Sequence, residues 1–214
     1  MKKWLFNPFV YIAGVRALFI GWGIMIISAF IAFYTGYHFD GALDVHSNGH
    51  PVHLLKTFFE LFIDWSSLVL TFYILGRIVS DTSFRFIDIA GTIALARWPM
   101  IFVVLVTFLP VPGLHLEKPS IDEIMNMMSN PYFILMTILI LPLIVWVFAL
   151  NYNAFSVSTN LKKGKAVITF IAGIIIAEII SKMVLAYTLH LLFKYIIYVQ
   201  RIFSETFTDR IKSH

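Results

Sequence analysis

The chain has 214 residues, 59% of them hydrophobic and only 13% charged, with a mean hydropathy of +0.85. A soluble domain carries about 25% charged residues, and one small domain cannot hide such a surplus of apolar surface from water, so the composition excludes a soluble globule and points to an integral membrane protein. Cysteine is absent, which removes disulfide and thiolate chemistry, and the net charge of +4 comes from basic residues scattered near span ends, which gives no reason to expect a nucleic-acid partner.

A helix crossing the hydrocarbon core needs about 20 apolar residues. Residues 1–11 read as an interfacial segment: Lys2 and Lys3 precede Trp4, Leu5, Phe6, Phe9 and Tyr11, which suits the headgroup level. Asn7-Pro8 marks a helix start, where the missing proline N–H costs nothing. The basic start is not read as a cleaved signal, because the apolar run from Ala17 to Phe39 is long enough to span and lacks a small-residue cleavage pattern. The first span is expected at 12–37, the second at 54–78 despite its charges, and the third at 87–109. A fourth is expected at 132–156, and a fifth begins near Ala166 with a helical pattern continuing past Tyr195. Turn residues separate them: Gly36, Gly41 and Asn48-Gly49, then Ser80-Asp81, Pro110 to Gly113, Asn130-Pro131 and Asn160 to Gly164. The runs are too long for barrel strands and lack their alternation. The fold class is therefore all-α, a polytopic membrane bundle with five transmembrane helices over 12–198 and a polar tail at 199–214.

Basic residues set the expected orientation. Lys2 and Lys3, Arg77 and Arg85, and Lys162, Lys163 and Lys165 fall on one side, while the opposite loops hold only Lys118. The positive-inside rule places the amino terminus in the cytoplasm. Five spans then put the carboxyl terminus outside, although the tail holds Lys194, Arg201, Arg210 and Lys212. His190, Lys194 and Arg201 share one helical face. The long fifth helix thus gains an amphipathic extension that leaves the bilayer or lies along it, or simply a solvated end.

The second span carries a polar stripe. At about 100° per residue, His53, Glu60, Asp64 and Thr71 fall within a narrow arc, with His50, Lys56, Thr57 and Ser67 beside it. Such a face belongs in the bundle interior or a wet cavity. At about 1.5 Å per residue, Asp64 and Arg97 both lie near the midplane, and Lys182 matches the depth of Glu60. These depths predict an intramembrane charge cluster of Glu60, Asp64 and Glu178 against Arg97 and Lys182. Glu178 and Lys182 also have the favourable i,i+4 order. Pro99 and Pro142 fall inside spans and are expected to kink them. No Gly-x-x-x-Gly supports a glycine-driven dimer.

The first loop, YHFDGALDVHSNGHPVH, offers His38, Asp40, Asp44, His46, His50 and His53. Imidazoles and carboxylates together can hold zinc or a similar divalent ion, although no known zinc spacing is present and Pro51 interrupts any helical arrangement. A metal bound there has Glu60 within reach of His53. The alternative is a plain polar loop with no cofactor. In the second loop, Ser120 followed by Asp122 and Glu123 reads as a helix start. Its Ile121, Ile124, Met125 and Met128 form an apolar face for the membrane surface. No phosphate loop, nucleophile elbow or dinucleotide fingerprint occurs, so an enzyme is not expected.

LFNPFVYIAG before the first span, LARWPMIFVVLVTFLP in the third, and LPLIVWVFALNYNAFSVSTNLKKGKAVITFIAG joining the fourth and fifth together resemble the Yip1-domain family of membrane proteins. The likeness covers residues 5–190, and the short amino terminus resembles the bacterial branch. The resemblance implies a five-span fold in the bacterial cytoplasmic membrane and no transferable functional residue. Eukaryotic members imply Rab GTPase binding, but this chain lacks their long cytosolic region and DLYGP-type motif, so Rab binding is not expected. Two functional expectations follow. One is a membrane-organising scaffold, in contact with lipids and partner proteins, whose buried charges hold the bundle. The other is a small transporter or ion-handling protein whose intramembrane acids line a polar cavity.

Overall fold

The computed structural model describes residues 2–39, 41, 45–46, 53–111 and 120–212, with side chains described except at 2, 45, 46 and 189–212. A short α1 (Lys2–Phe6) and a single 3-10 turn at Pro8–Val10 precede the long helices. The bundle then consists of α2 (Gly14–Thr35), α3 (Leu54–Val79), α4 (Phe86–Ala96), α5 (Met100–Val106), α6 (Ile121–Ser129), α7 (Pro131–Thr159) and α8 (Lys163–Lys212). Among the described residues, five stretches are long and apolar enough to cross a membrane: Gly14–Thr35, Leu54–Val79, Phe86–Val106, Pro131–Thr159 and Lys163–Thr188. The chain is an all-α integral membrane protein.

Each helix ends for a local reason. Gly36 closes α2 in the left-handed region at φ 76°, where a side chain would be strained. Asn160 does the same for α7 at φ 54°. The Ser120 hydroxyl accepts from the Glu123 N–H while the Glu123 side chain accepts from Ser120, a reciprocal cap that starts α6. The apolar side chains of α6, Ile121, Ile124, Met125 and Met128, are exposed.

The third span departs from one continuous helix at 87–109. It breaks at Arg97, Trp98 and Pro99. Proline has no N–H to give the Leu95 carbonyl, and Trp98 N–H donates to that carbonyl at 3.1 Å instead. The break therefore separates two half-helices. Pro142, by contrast, leaves α7 unbroken from 131 to 159.

Small residues bring α2 and α4 together. A methyl added at Gly21 would run into the Ala94 backbone, and one at Gly91 into the Gly14 carbonyl. Ala17 and Gly21 stand four apart on α2, so this is a small-x-x-x-small contact made within the chain. Thr35 and Thr107 hydrogen-bond at 2.8 Å at one end of the bundle. At the other end, Ser80 and Thr82 hydroxyls donate to the Thr159 carbonyl at 2.7 and 3.2 Å. The amino-terminal segment docks on α7, where Trp146 Nε1 donates to Leu5 O and Asn153 Nδ2 to Phe6 O. Helix α8 packs chiefly along α3. A methyl at Gly173 would strike the Phe72 ring there. Leu135, Ile138, Leu141 and Val145 on α7, and Ile168, Ile175 and Met183 on α8, form exposed apolar faces.

One feature of the first loop is not helical. His38–Phe39 and Val45–His46 form a two-stranded antiparallel ribbon, with His38 opposite His46 and Phe39 opposite Val45. Two residues per strand show no alternation that a sequence pattern can reveal.

Candidate functional site

The stripe of α3 is buried along Thr57, Glu60, Asp64, Ser67 and Thr71. An arc at helical spacing faces one neighbour set, and here those neighbours are the ribbon, the α4–α5 break and α8. Glu60 is 4% exposed and Asp64 is fully buried. Such carboxylates persist only where partners replace water.

Glu60 finds its partners in the ribbon and one turn back. His38 Nδ1 lies 3.2 Å from Oε1, and the Phe39 N–H donates to Oε2 at 3.2 Å. Lys56 Nζ stands 3.6 Å from Oε1. One carboxylate thus binds the imidazole and the backbone of consecutive residues. His38 is 1% exposed, and its Nε2 is buried without a hydrogen-bond partner.

Asp64 meets the break in the third span. Arg97 Nη2 lies 3.9 Å from Asp64 Oδ2, with the arginine 1% exposed. That distance is an ion pair but too long for a hydrogen bond, and Nη1 and Nη2 of Arg97 make none. Arg97 also feels the charge of Glu178. Glu178 pairs with Lys182 at 3.2 Å across one turn of α8, and its carboxylate abuts the Gly41 backbone. Asn151 is fully buried on α7; its Nδ2 donates to Val147 O, and its Oδ1 has no partner.

The structure therefore brings Asp64 to Arg97 and Glu178 to Lys182, whereas Glu60 turns to His38 and Lys56 rather than to Lys182. The physical reason is the ribbon, which supplies a nearer imidazole and N–H. His53 does not join the stripe. It is exposed and caps α3, its carbonyl accepting from the Thr57 N–H at 3.0 Å. Asp40, Asp44 and His50 lie outside the described residues, and His46 is described in its backbone alone. Among the described residues, no group of three or more imidazole and carboxylate side chains is placed to hold a metal.

Beside Ser67 and Thr71 the interior turns apolar. Leu68, Val69 and Phe72 are fully buried, and Phe72 meets Phe155 and Phe170 at ring separations of 4.8 and 5.5 Å. Near the ribbon, burial pushes the Tyr37 phenol up to about 12, so it stays neutral, and its hydroxyl donates to Met136 Sδ at 3.8 Å. A pocket of about 420 Å³ opens between Tyr34, Thr107 and Val111, and the acids of α3 do not line it.

The sequence reading missed His38 as the partner of Glu60. The signal available was the pair of loop residues His38 and Phe39 just after the Gly36 turn, which returns the chain toward its own bundle. No protein-family model matches the chain, and no match is found among curated proteins or solved structures.

Proposed function

We propose that this chain is a non-catalytic, membrane-organising or scaffold protein of the bacterial cytoplasmic membrane, in which the buried charges fix the packing of α3, the α4–α5 break and the ribbon. The observation that carries this reading is that the polar stripe stops. Glu60 and Asp64 each meet a counter-charge, and the α3 interior beyond Ser67 and Thr71 runs into the layer of Phe72, Phe155 and Phe170. A conduit needs polar groups or a constriction that can open to water; three aromatic rings packed against one another at the end of the stripe favour a closed interior, and a structural cluster needs only mutual neutralisation. The partners proposed for such a role are lipids and other membrane proteins, and Rab binding is not expected. The test is reconstitution into liposomes with an imposed pH gradient. The expected result is no proton flux above protein-free vesicles and a loss of thermal stability in Asp64→Asn. Flux that disappears in a well-folded Asp64→Asn would overturn the proposal.

A second reading, ion handling by the outer part of the stripe, draws on one observation. Arg97 is buried with both terminal nitrogens unbonded and its acid at 3.9 Å. An arginine whose terminal nitrogens make no hydrogen bond can exchange counter-charges, as ion handling inside a membrane requires.

A further inference from the structure

We propose that α6 lies in the plane of the membrane surface as an interfacial helix, with Ile121, Ile124, Met125 and Met128 at the acyl boundary, and that it fits a surface of zwitterionic rather than anionic phospholipid.

Helix α6 ends and α7 begins at one residue, Asn130. The Asn130 N–H donates to the Met127 carbonyl at 3.1 Å and closes α6. Its Oδ1 accepts from the Tyr132 N–H at 2.9 Å and opens α7. The backbone of Asn130 is extended, so the chain turns between two helices with no loop to part them. Pro131–Thr159 is long and apolar enough to cross a membrane, and exposed Tyr132 stands in its first turn. Tyrosine collects where acyl chains meet headgroups. The single-residue joint therefore holds the carboxyl end of α6 at that level, and the apolar face of α6 decides how the rest of it lies.

At about 100° per residue, Ile121, Ile124, Met125 and Met128 fall on one side of α6, and Asp122, Glu123, Asn126 and Ser129 on the other. Ile121 is 77% exposed, Met125 65% and Met128 59%, and no residue of α6 is buried. The bundle leaves the apolar side uncovered. Apolar surface leaves water where an apolar phase is within reach, and the exposed apolar face of α7, with Ile134, Leu135 and Ile138, begins one turn beyond the joint. A helix standing upright in water would keep its apolar side wet, whereas one lying flat turns that side into the boundary and its acids and amides to water.

The charge of α6 selects the lipid. Interfacial helices that bind anionic lipid carry Lys or Arg on the polar face. Helix α6 has neither, and carries Asp122 and Glu123 instead. Its hold is by apolar area alone, and the negative potential of an anionic surface opposes it. This placement goes beyond the scaffold reading, because it concerns a surface helix that the buried charges do not touch.

The chain has no cysteine, so single nitroxide labels can be placed without removing any native site. Full-length Met125→Cys, Asn126→Cys, Met128→Cys and Ile138→Cys are labelled and reconstituted into phosphatidylcholine nanodiscs. Collision rates with oxygen and with a neutral nickel chelate then report depth. Labels at 125 and 128 are expected about 5–10 Å below the surface, the label at 126 in water, and the label at 138 deepest. An unchanged depth at 138 checks that the bundle is intact in every sample. In phosphatidylglycerol nanodiscs the labels at 125 and 128 should become shallower, and Asp122→Asn with Glu123→Gln, added to the Met125→Cys chain, should remove that difference. Nickel access at 125 equal to that at 126 would place α6 in water. Low access of both reagents at 125 would place the face against protein, and equal depth in the two lipids would remove the charge preference. Each of these outcomes overturns the proposal.

Discussion

Arg97 and Asp64 face each other across 3.9 Å in the interior of the bundle, the arginine at a break in one span and the acid on the polar stripe of another. Removing one member of a buried pair takes a counter-charge from the other, which costs about 3–5 kcal/mol. Asp64→Asn and Arg97→Met are each expected to destabilise by about that much. The double variant should recover part of the loss, with a coupling energy of about 0.5–3 kcal/mol. Denaturation in mixed detergent micelles measures all four corners of the cycle. Strict additivity would show that the two residues act independently.

Glu60 holds the ribbon backbone as well as an imidazole. Glu60→Ala removes the acceptor of the Phe39 N–H. A hydrogen bond to a charged group contributes about 1.5–3 kcal/mol, so amide exchange at Phe39 is expected to accelerate at least tenfold. Hydrogen–deuterium exchange read at Phe39, with amides inside α7 as the internal reference, checks this. Equal acceleration everywhere would mean global destabilisation instead.

Two glycines of α2 give opposite expectations. A methyl at Gly21 meets the Ala94 backbone, whereas one at Gly23 meets nothing within 4 Å. Gly21→Ala should lower stability by about 1–3 kcal/mol through overpacking. Gly23→Ala should be neutral or slightly stabilising, since alanine favours the helix. Thermal melting of the two variants side by side separates the contact from the propensity.

The cap of α6 is pH-sensitive. The Ser120 N–H and hydroxyl both donate to Glu123, at 2.7 and 2.8 Å, and hold its carboxyl below its ordinary 4.5. A lowered carboxyl pKa gives stability that is present above the unfolded value and is lost as pH falls through the folded one. Helix α6 should therefore fray at its start below pH 4.5 and stay capped at neutral pH. The Ser120 amide chemical shift followed by NMR, with Glu123→Gln as the variant that abolishes the titration, tests this.

Length and apolarity alone made the five spans legible, because a bilayer demands about 20 apolar residues whatever the neighbours are. Counting rise per residue set Asp64 and Arg97 at one depth, since helices are rigid rulers. The same ruler paired Glu60 with Lys182 and did not see His38, because a loop residue has no helical address. The ribbon escaped for a related reason, its strands being too short to carry a period. The contact of Gly21 with Ala94 was hidden because a search for two glycines passes over an alanine that does the same work at Ala17. Pro99 announced a kink and falls at a break between two helices, while Pro142 leaves α7 unbroken.

Two acids from different helices meet the chain within three residues of one another. Glu60 of α3 takes the Phe39 N–H, and Glu178 of α8 lies where a side chain on residue 41 would have to stand. The glycine at 41 is therefore what lets a carboxylate of α8 come so close to the loop. The start of the loop is bonded to one helix and shaped by another, so a change in the spacing of α3 and α8 alters the surroundings of residues 39 and 41 together.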